Sequence, residues 1–130
     1  MLLDTNIYRA YLDGLSLVFE ELDKTDRANL PLAVVAEIRK GFLGGTKFQQ
    51  NEDILQDFLE KTGAGIIVPT VQTADFFAEL AVYCRKQGRA LSDNDLWIAA
   101  TALETGEPLL TLDKDFEVFQ GYDGLTVIVL

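Results

Sequence analysis

Histidine is absent from this chain. That absence removes Ser-His-Asp and Cys-His nucleophilic chemistry, an imidazole general base and the His-containing zinc sites. Any metal must then be held by oxygen, which points to Mg²⁺ or Mn²⁺ ahead of Ca²⁺. Cysteine is nearly absent. Cys84 stands alone, so no intrachain disulfide can form. Its neighbours Leu80, Ala81 and Tyr83 sit in a helical pattern and mark it as a small buried hydrophobe. A chain without disulfides fits a reducing cytoplasm. No apolar run reaches the roughly 18 residues that a membrane span needs. No basic segment precedes an apolar one near Met1, so no signal peptide is expected. Basic residues are scarce: 11 against 21 acidic, for a net charge of −10. A broad basic face for nucleic acid is excluded, although a local basic patch or a basic partner protein is not.

What is present suffices for one domain. The 130 residues are 48% hydrophobic, enough for a core without staples, so residues 1–130 read as a single domain. Apolar runs and helical patterns alternate along the chain. Met1–Asp4 reads as a short strand ending in an acid. Thr5-Asn6 opens a helical region in which Leu12, Leu15, Val18, Phe19 and Leu22 have roughly helical spacing, with a break at Asp13-Gly14. Leu30–Leu32 is a second strand, followed by a helix over about Val34–Leu43 with Val35, Ile38 and Phe42 inward. Phe48–Lys61 is amphipathic, with Ile54, Leu55, Phe58 and Leu59 inward. Ile66–Val68 is a strand. Thr73–Gln87 is a long helix carrying Phe76, Phe77, Leu80, Tyr83 and Cys84 on its inner side.

The stretch Leu91–Phe116 follows: a polar cluster, an alanine-rich helix, a Gly-Glu-Pro break, then strand Leu109–Leu112 ending in Asp113-Lys114-Asp115. A short helix with Phe116 and Phe119 and a last strand, Leu125–Val129, complete the chain. This alternation predicts an α/β fold, a parallel sheet covered on both faces.

In such a sheet, ligands bind outside the carboxyl ends of the strands. Acids recur at that kind of place. Asp4 ends the first strand. Glu37 lies one turn into the helix after the second. Asp95 is in the first turn of the alanine-rich helix. Asp113 ends the Leu109–Leu112 strand. Singly, each has an ordinary explanation: Asp4 and Asp113 as helix caps, Asp95 as a capping partner of Ser92, Glu37 as a solvated face residue. Together they would repel one another without a cation, and such a cluster points to a divalent metal.

Asp93 and Asp95 are about 200° apart on a helix and cannot both face one site. Asp95 is preferred, because Ala99 one turn below leaves space, and Asp93 is left at the rim. Asp113 is likewise preferred, with Asp115 as an auxiliary, water-mediated ligand. Thr5, Asn6 and Thr111 stand beside these acids as turn and cap residues, or as groups that orient carboxylates.

The segments LLDTN at Leu2–Asn6, VVAEIRKG at Val34–Gly41, SDNDLWIAATAL at Ser92–Leu103 and LLTLDKDF at Leu109–Phe116 resemble the PIN-domain ribonucleases. Within them, the chain is similar to the toxin subunits of VapBC-type toxin–antitoxin modules. Between about Phe48 and Gln87 the likeness is one of helical pattern only. The resemblance implies a PIN-like three-layer α/β/α fold with a five-stranded parallel sheet, and catalytic acids at Asp4, Glu37, Asp95 and Asp113. It implies Mg²⁺- or Mn²⁺-dependent cleavage of RNA by activated water, leaving a 5′-phosphate and a 3′-hydroxyl. A homodimer and a cognate antitoxin that blocks the site are implied as well. Lys114, between two site aspartates, is the favoured phosphate contact. Arg39 is a further candidate for RNA or for the antitoxin.

Other folds and roles fit less well. A receiver-type phosphotransfer domain needs paired acids after its first strand, and here only Asp4 is offered; Ile66–Thr70 carries no acid. In haloacid-dehalogenase-type phosphatases the Asp-x-Asp pair opens the fold, whereas Asp113 lies near the end of this chain. A non-catalytic, protein-binding PIN-like module remains as the alternative, and the four retained acids argue against it.

Overall fold

The computed structural model describes residues 1–130. Strands and helices alternate: β1 (Leu2–Leu3), α1 (Thr5–Leu12), α2 (Ser16–Leu22), β2 (Leu30–Pro31), α3 (Leu32–Gly44), α4 (Phe48–Thr62), β3 (Ile66–Ile67), α5 (Val71–Lys86), α6 (Asp93–Thr105), β4 (Leu109–Thr111), a 3₁₀ helix (Lys114–Phe119) and β5 (Val127–Val129). Every strand pairing is parallel.

The expected single five-stranded sheet is not what forms. β1, β4 and β5 make a three-stranded sheet in the order β1-β4-β5, and β2 pairs with β3 separately. One parallel bridge, Leu2 to Asn29, links the two. There the Asn29 N–H donates to Met1 O at 2.8 Å and the Leu3 N–H to Asn29 O at 3.0 Å. The next donor in that ladder would be the nitrogen of residue 31, which is proline and has no N–H. The pairing therefore stops after one bridge. Pro31 also serves as the N-cap of α3, which begins at Leu32 rather than at Val34.

Local chemistry sets the helix ends. The Asp13-Gly14 break falls where it was read: α1 ends at Leu12, and Gly14 takes φ +79° to turn the chain into α2. Thr70 and Thr73 form a reciprocal capping box that starts α5 two residues before Thr73. Ser92 caps α6, accepting the Asp95 N–H at 3.2 Å.

The core is one cluster of 26 buried side chains, drawn from every helix and from four of the five strands, β3 contributing none. Phe58 is fully buried, with Tyr8 and Tyr11 set edge-on to it at 5.1 and 4.9 Å between ring centroids. Some positions read as inward face out instead. Leu12, Leu15, Phe19 and Ile54 are more than a third exposed, and only Val18 of α2 is buried. A seven-residue helix packed chiefly on α1 has room for little more. Phe58→Ala removes the centre of that aromatic group and should destabilise the fold by about 3–5 kcal/mol. Urea unfolding followed by circular dichroism measures this; a loss below about 1 kcal/mol would mean that Phe58 is not central.

Candidate active site

The register of β1 on β4 pairs Leu3 with Leu110, so Asp4 leaves its strand level with Thr111. Both strands end there, and their side chains interlock. The Thr111 hydroxyl donates to Asp4 Oδ2 at 2.7 Å and accepts the Asp113 N–H at 3.0 Å. Asn6 Nδ2 donates to Asp4 Oδ2 at 3.0 Å, while Asn6 Oδ1 accepts the Leu112 N–H at 3.0 Å. The Thr5 N–H reaches Asp4 Oδ1 at 2.7 Å, and the Thr5 hydroxyl donates to Glu37 Oε2. Thr5, Asn6 and Thr111 thus each hydrogen-bond a site acid and hold it in one orientation.

Asp4, Glu37, Asp95 and Asp113 line one cavity of about 290 Å³, together with Thr5, Asn6, Arg9 and Ser92. No hydrophobic side chain lines it. The capping explanations hold at the same time. Asp4 is the N-cap of α1, and Asp113 caps the 3₁₀ helix by accepting the Asp115 N–H at 2.9 Å. One carboxylate oxygen can serve a cap while the other faces the cavity.

Burial pushes the Asp4 carboxyl above its ordinary range, against the opposing hydrogen bonds from Thr111 and Thr5; Glu37 and Asp113 add repulsion. Asp95, half-buried, is pushed up to about 6, first by loss of solvent and then, against a bond from Ser92, by the charges of Asp4, Asp113 and Glu37. These acids feel one another and lack an internal cation that cancels the effect. Their donors are hard oxygens, which fits Mg²⁺ or Mn²⁺. As they stand, no three acidic side chains are grouped tightly enough to hold an ion. The donor set and the shared cavity fit a divalent cation; a ready-made cage is not built.

Other residues singled out from the sequence lie elsewhere. Lys114 and Asp115 are exposed and do not line the cavity, and Asp93 is exposed at the start of α6. Arg39, a candidate for substrate, is engaged by Glu52 of α4, at 2.7 Å from Nη2 and 3.4 Å from Nε. Its helix position turns it toward α4 and away from the acids. The cation that does line the cavity is Arg9. The sequence carried a sign of this: Arg9 is four residues after Thr5 and three after Asn6, on the helix face that continues theirs.

The family model for the PIN domain matches residues 1–121. Among curated relatives, Ribonuclease VapC5 of Mycobacterium tuberculosis (strain ATCC 25618 / H37Rv) is 28% identical over 126 residues, spanning 97% of this chain and 92% of the relative. Ribonuclease VapC1 of Haemophilus influenzae (strain R2866) is 29% identical over 121 residues, 89% of each chain. Among solved structures, VapBC-1 from nontypeable Haemophilus influenzae superposes with a TM-score of 0.84 at 26% identity, covering 98% of this chain and 96% of that one.

The raised carboxyls carry a pH signature. An acid whose folded pKa lies above its unfolded value binds more protons in the folded state. Its contribution is therefore greatest at low pH and is lost as pH rises through the folded pKa. For Asp95 that window runs from its ordinary value of 3.8 to about 6. The metal-free protein should lose stability across this window, and Asp95→Asn should flatten the loss and raise Tm at pH 7. Thermal melts in chelator from pH 4 to 7 test this; an unchanged profile in the variant would refute the raised Asp95 carboxyl.

Proposed function

Since the chain belongs to the PIN domain family, we propose that it is a metal-dependent endoribonuclease, the toxin partner of a cognate antitoxin. The observation that carries this reading is the cavity itself: four carboxylates from four separate chain segments meet in it, two of them with raised pKa values. The relatives named ribonuclease VapC align with nearly the whole chain, and the neighbouring solved structures are VapBC complexes, which supports both the activity and an antitoxin partner. Residues 1–130 act as a single three-layer PIN domain.

Asp4, Glu37, Asp95 and Asp113 would hold the cation, with Asp115 an outer, auxiliary contact. Bound there, Mg²⁺ or Mn²⁺ supplies Lewis-acid polarisation of the phosphate and a more acidic water. The chain's own residues prepare the ground. Thr111, Asn6 and the Thr5 N–H fix Asp4, so its carboxylate needs no reorganisation. Thr5 fixes Glu37 across the α1–α3 contact. Asp95 gives up its proton near pH 6, so its own negative charge is complete only near neutrality. Cation affinity should therefore rise between pH 5 and 7.

The chain works in the cytoplasm and as a homodimer, with α4 and α5 as the expected contact; exposed Val71, Val82 and Phe48 on these helices support that reading. No helix is long and apolar enough to cross a membrane. The antitoxin would meet the acidic cavity with a basic segment, so its binding should weaken as salt rises. Lys114, exposed next to Asp113, remains available to RNA phosphate at the rim.

Incubation of the protein with structured RNA and Mg²⁺ or Mn²⁺ should give internal cuts bearing 5′-phosphates, and chelator should stop them. Asp95→Asn should abolish cleavage while keeping or raising Tm, and Asp93→Asn should leave cleavage nearly intact. Full activity in Asp95→Asn would overturn the site. A monomer by light scattering at micromolar concentration would overturn the dimer.

A further inference from the structure

A second hollow adjoins the acid cavity, and the two share one wall residue, Arg9. We propose that this groove seats the nucleotide flanking the scissile phosphate, with Arg9 holding the phosphate between the two hollows. The inference rests on the ribonuclease reading and deepens it.

The groove encloses about 230 Å³ and lies between α1, α3 and α4. Its placement follows from helix geometry. Thr5 and Glu37 are hydrogen-bonded to each other at the acid cavity. Four residues further along their respective helices stand Arg9 and Gly41, both lining the groove. Four residues return a helix to the same face about one turn, or 5.4 Å, along. Two contacting helices therefore each present an acid-site residue and then, one turn on, a groove residue.

The lining suits a nucleotide. Arg9 is exposed and makes no ion pair, although four acids line its cavity. Its guanidinium donors are thus free, and their fork matches a phosphate. Phe42 offers an aromatic surface and Asn51 an amide that can both donate and accept; unstacked bases are recognised by stacking and edge contacts of this kind. A Cβ added at Gly41 would meet nothing within 4 Å, so the groove wall is open at that point. The charge of Arg9 decides between occupants. No acid lines the groove itself, so there its one charge attracts a phosphate and repels a basic peptide, and RNA is favoured over a basic protein segment.

The test uses a labelled single-stranded RNA carrying a mapped cut site, read by cleavage kinetics and, on an uncleavable analogue of the same RNA with Mg²⁺, by fluorescence anisotropy. Arg9→Gln should weaken that binding roughly tenfold or more, flatten the salt slope by about one, and raise KM more than it lowers kcat. Arg9→Lys should keep the salt slope but recover only part of the affinity. Gly41→Leu should raise KM without lowering Tm, since glycine is a poor helix former. Removing the base beside the cut should weaken binding to wild type and leave Gly41→Leu indifferent.

Wild-type binding and cleavage by both Arg9→Gln and Gly41→Leu would overturn the subsite alone. So would a Gly41→Leu that loses only a lysine- and arginine-rich peptide, which would make the groove a protein-docking surface. A wild-type protein that cuts no RNA with either metal would overturn the ribonuclease reading and the subsite with it.

Discussion

The hydroxyl of Thr111 joins the ends of two neighbouring parallel strands. It donates to Asp4 after β1 and accepts the backbone N–H of Asp113 after β4. A hydrogen bond to a charged partner is worth about 1.5–3 kcal/mol net, more than most. Here it also sets geometry. With β1 and β4 in register, Asp4 has one place to go, and Asn6 closes the loop by bonding both Asp4 and the Leu112 backbone. Glu37 is then drawn in through Thr5, and Asp95 faces the group from the first turn of α6. Three neutral side chains thus organise three of the four acids, and Ser92 partners the fourth.

The two edges of the sheet are built on opposite principles. At the amino edge, buried Asn29 donates to Glu107 at 2.9 Å and accepts the Gly65 N–H at 3.0 Å, while its backbone bridges to β1. The terminal amine lies 3.5 Å from the same Glu107 oxygen. Opposite charges and satisfied amides stitch the strands together there, as buried polar groups require. At the carboxyl edge, like charges are brought together and two of them are held above their ordinary pKa. The first edge stabilises the fold, and the second stores repulsion that a bound cation would relieve. Strands of two or three residues could not hold such an edge through ladder bonds alone, and the side-chain network compensates.

Much of this was legible from residue order. Acids at the ends of apolar runs implied the meeting of Asp4 and Asp113, because parallel alternation sends successive strand ends to one side. In the alanine-rich helix, Ala99, Ala100 and Ala102 are buried. What failed depended on partners that spacing does not encode. Pro31 looked like part of an apolar strand, yet its missing N–H splits the sheet. Arg39 looked free until α4 brought Glu52 to it. Phe19 had helical spacing, but a short helix with one main neighbour leaves it exposed, and Leu15, just before that helix, is exposed with it. Arg9 has little to distinguish it in the sequence beyond its spacing from Thr5 and Asn6, and the fold brings it into the cavity.

A net charge of −10 looks ill suited to a polyanion, and the placement of charges resolves the difficulty. At physiological salt, fields fade over roughly 8 Å, so the total charge matters less than what lies within one screening length of the phosphate. Within that range stand four carboxylates and Arg9. Without a cation the carboxylates dominate, and RNA is repelled. One or two divalent ions change the local sum by two to four charges, and Arg9 then adds to an attraction instead of being outvoted. On the proposed reading, the acidity of the site would make RNA binding depend on the same ion as cleavage. A basic antitoxin segment would neutralise the same carboxylates without supplying a metal, and occupation by one would exclude the other on electrostatic grounds alone.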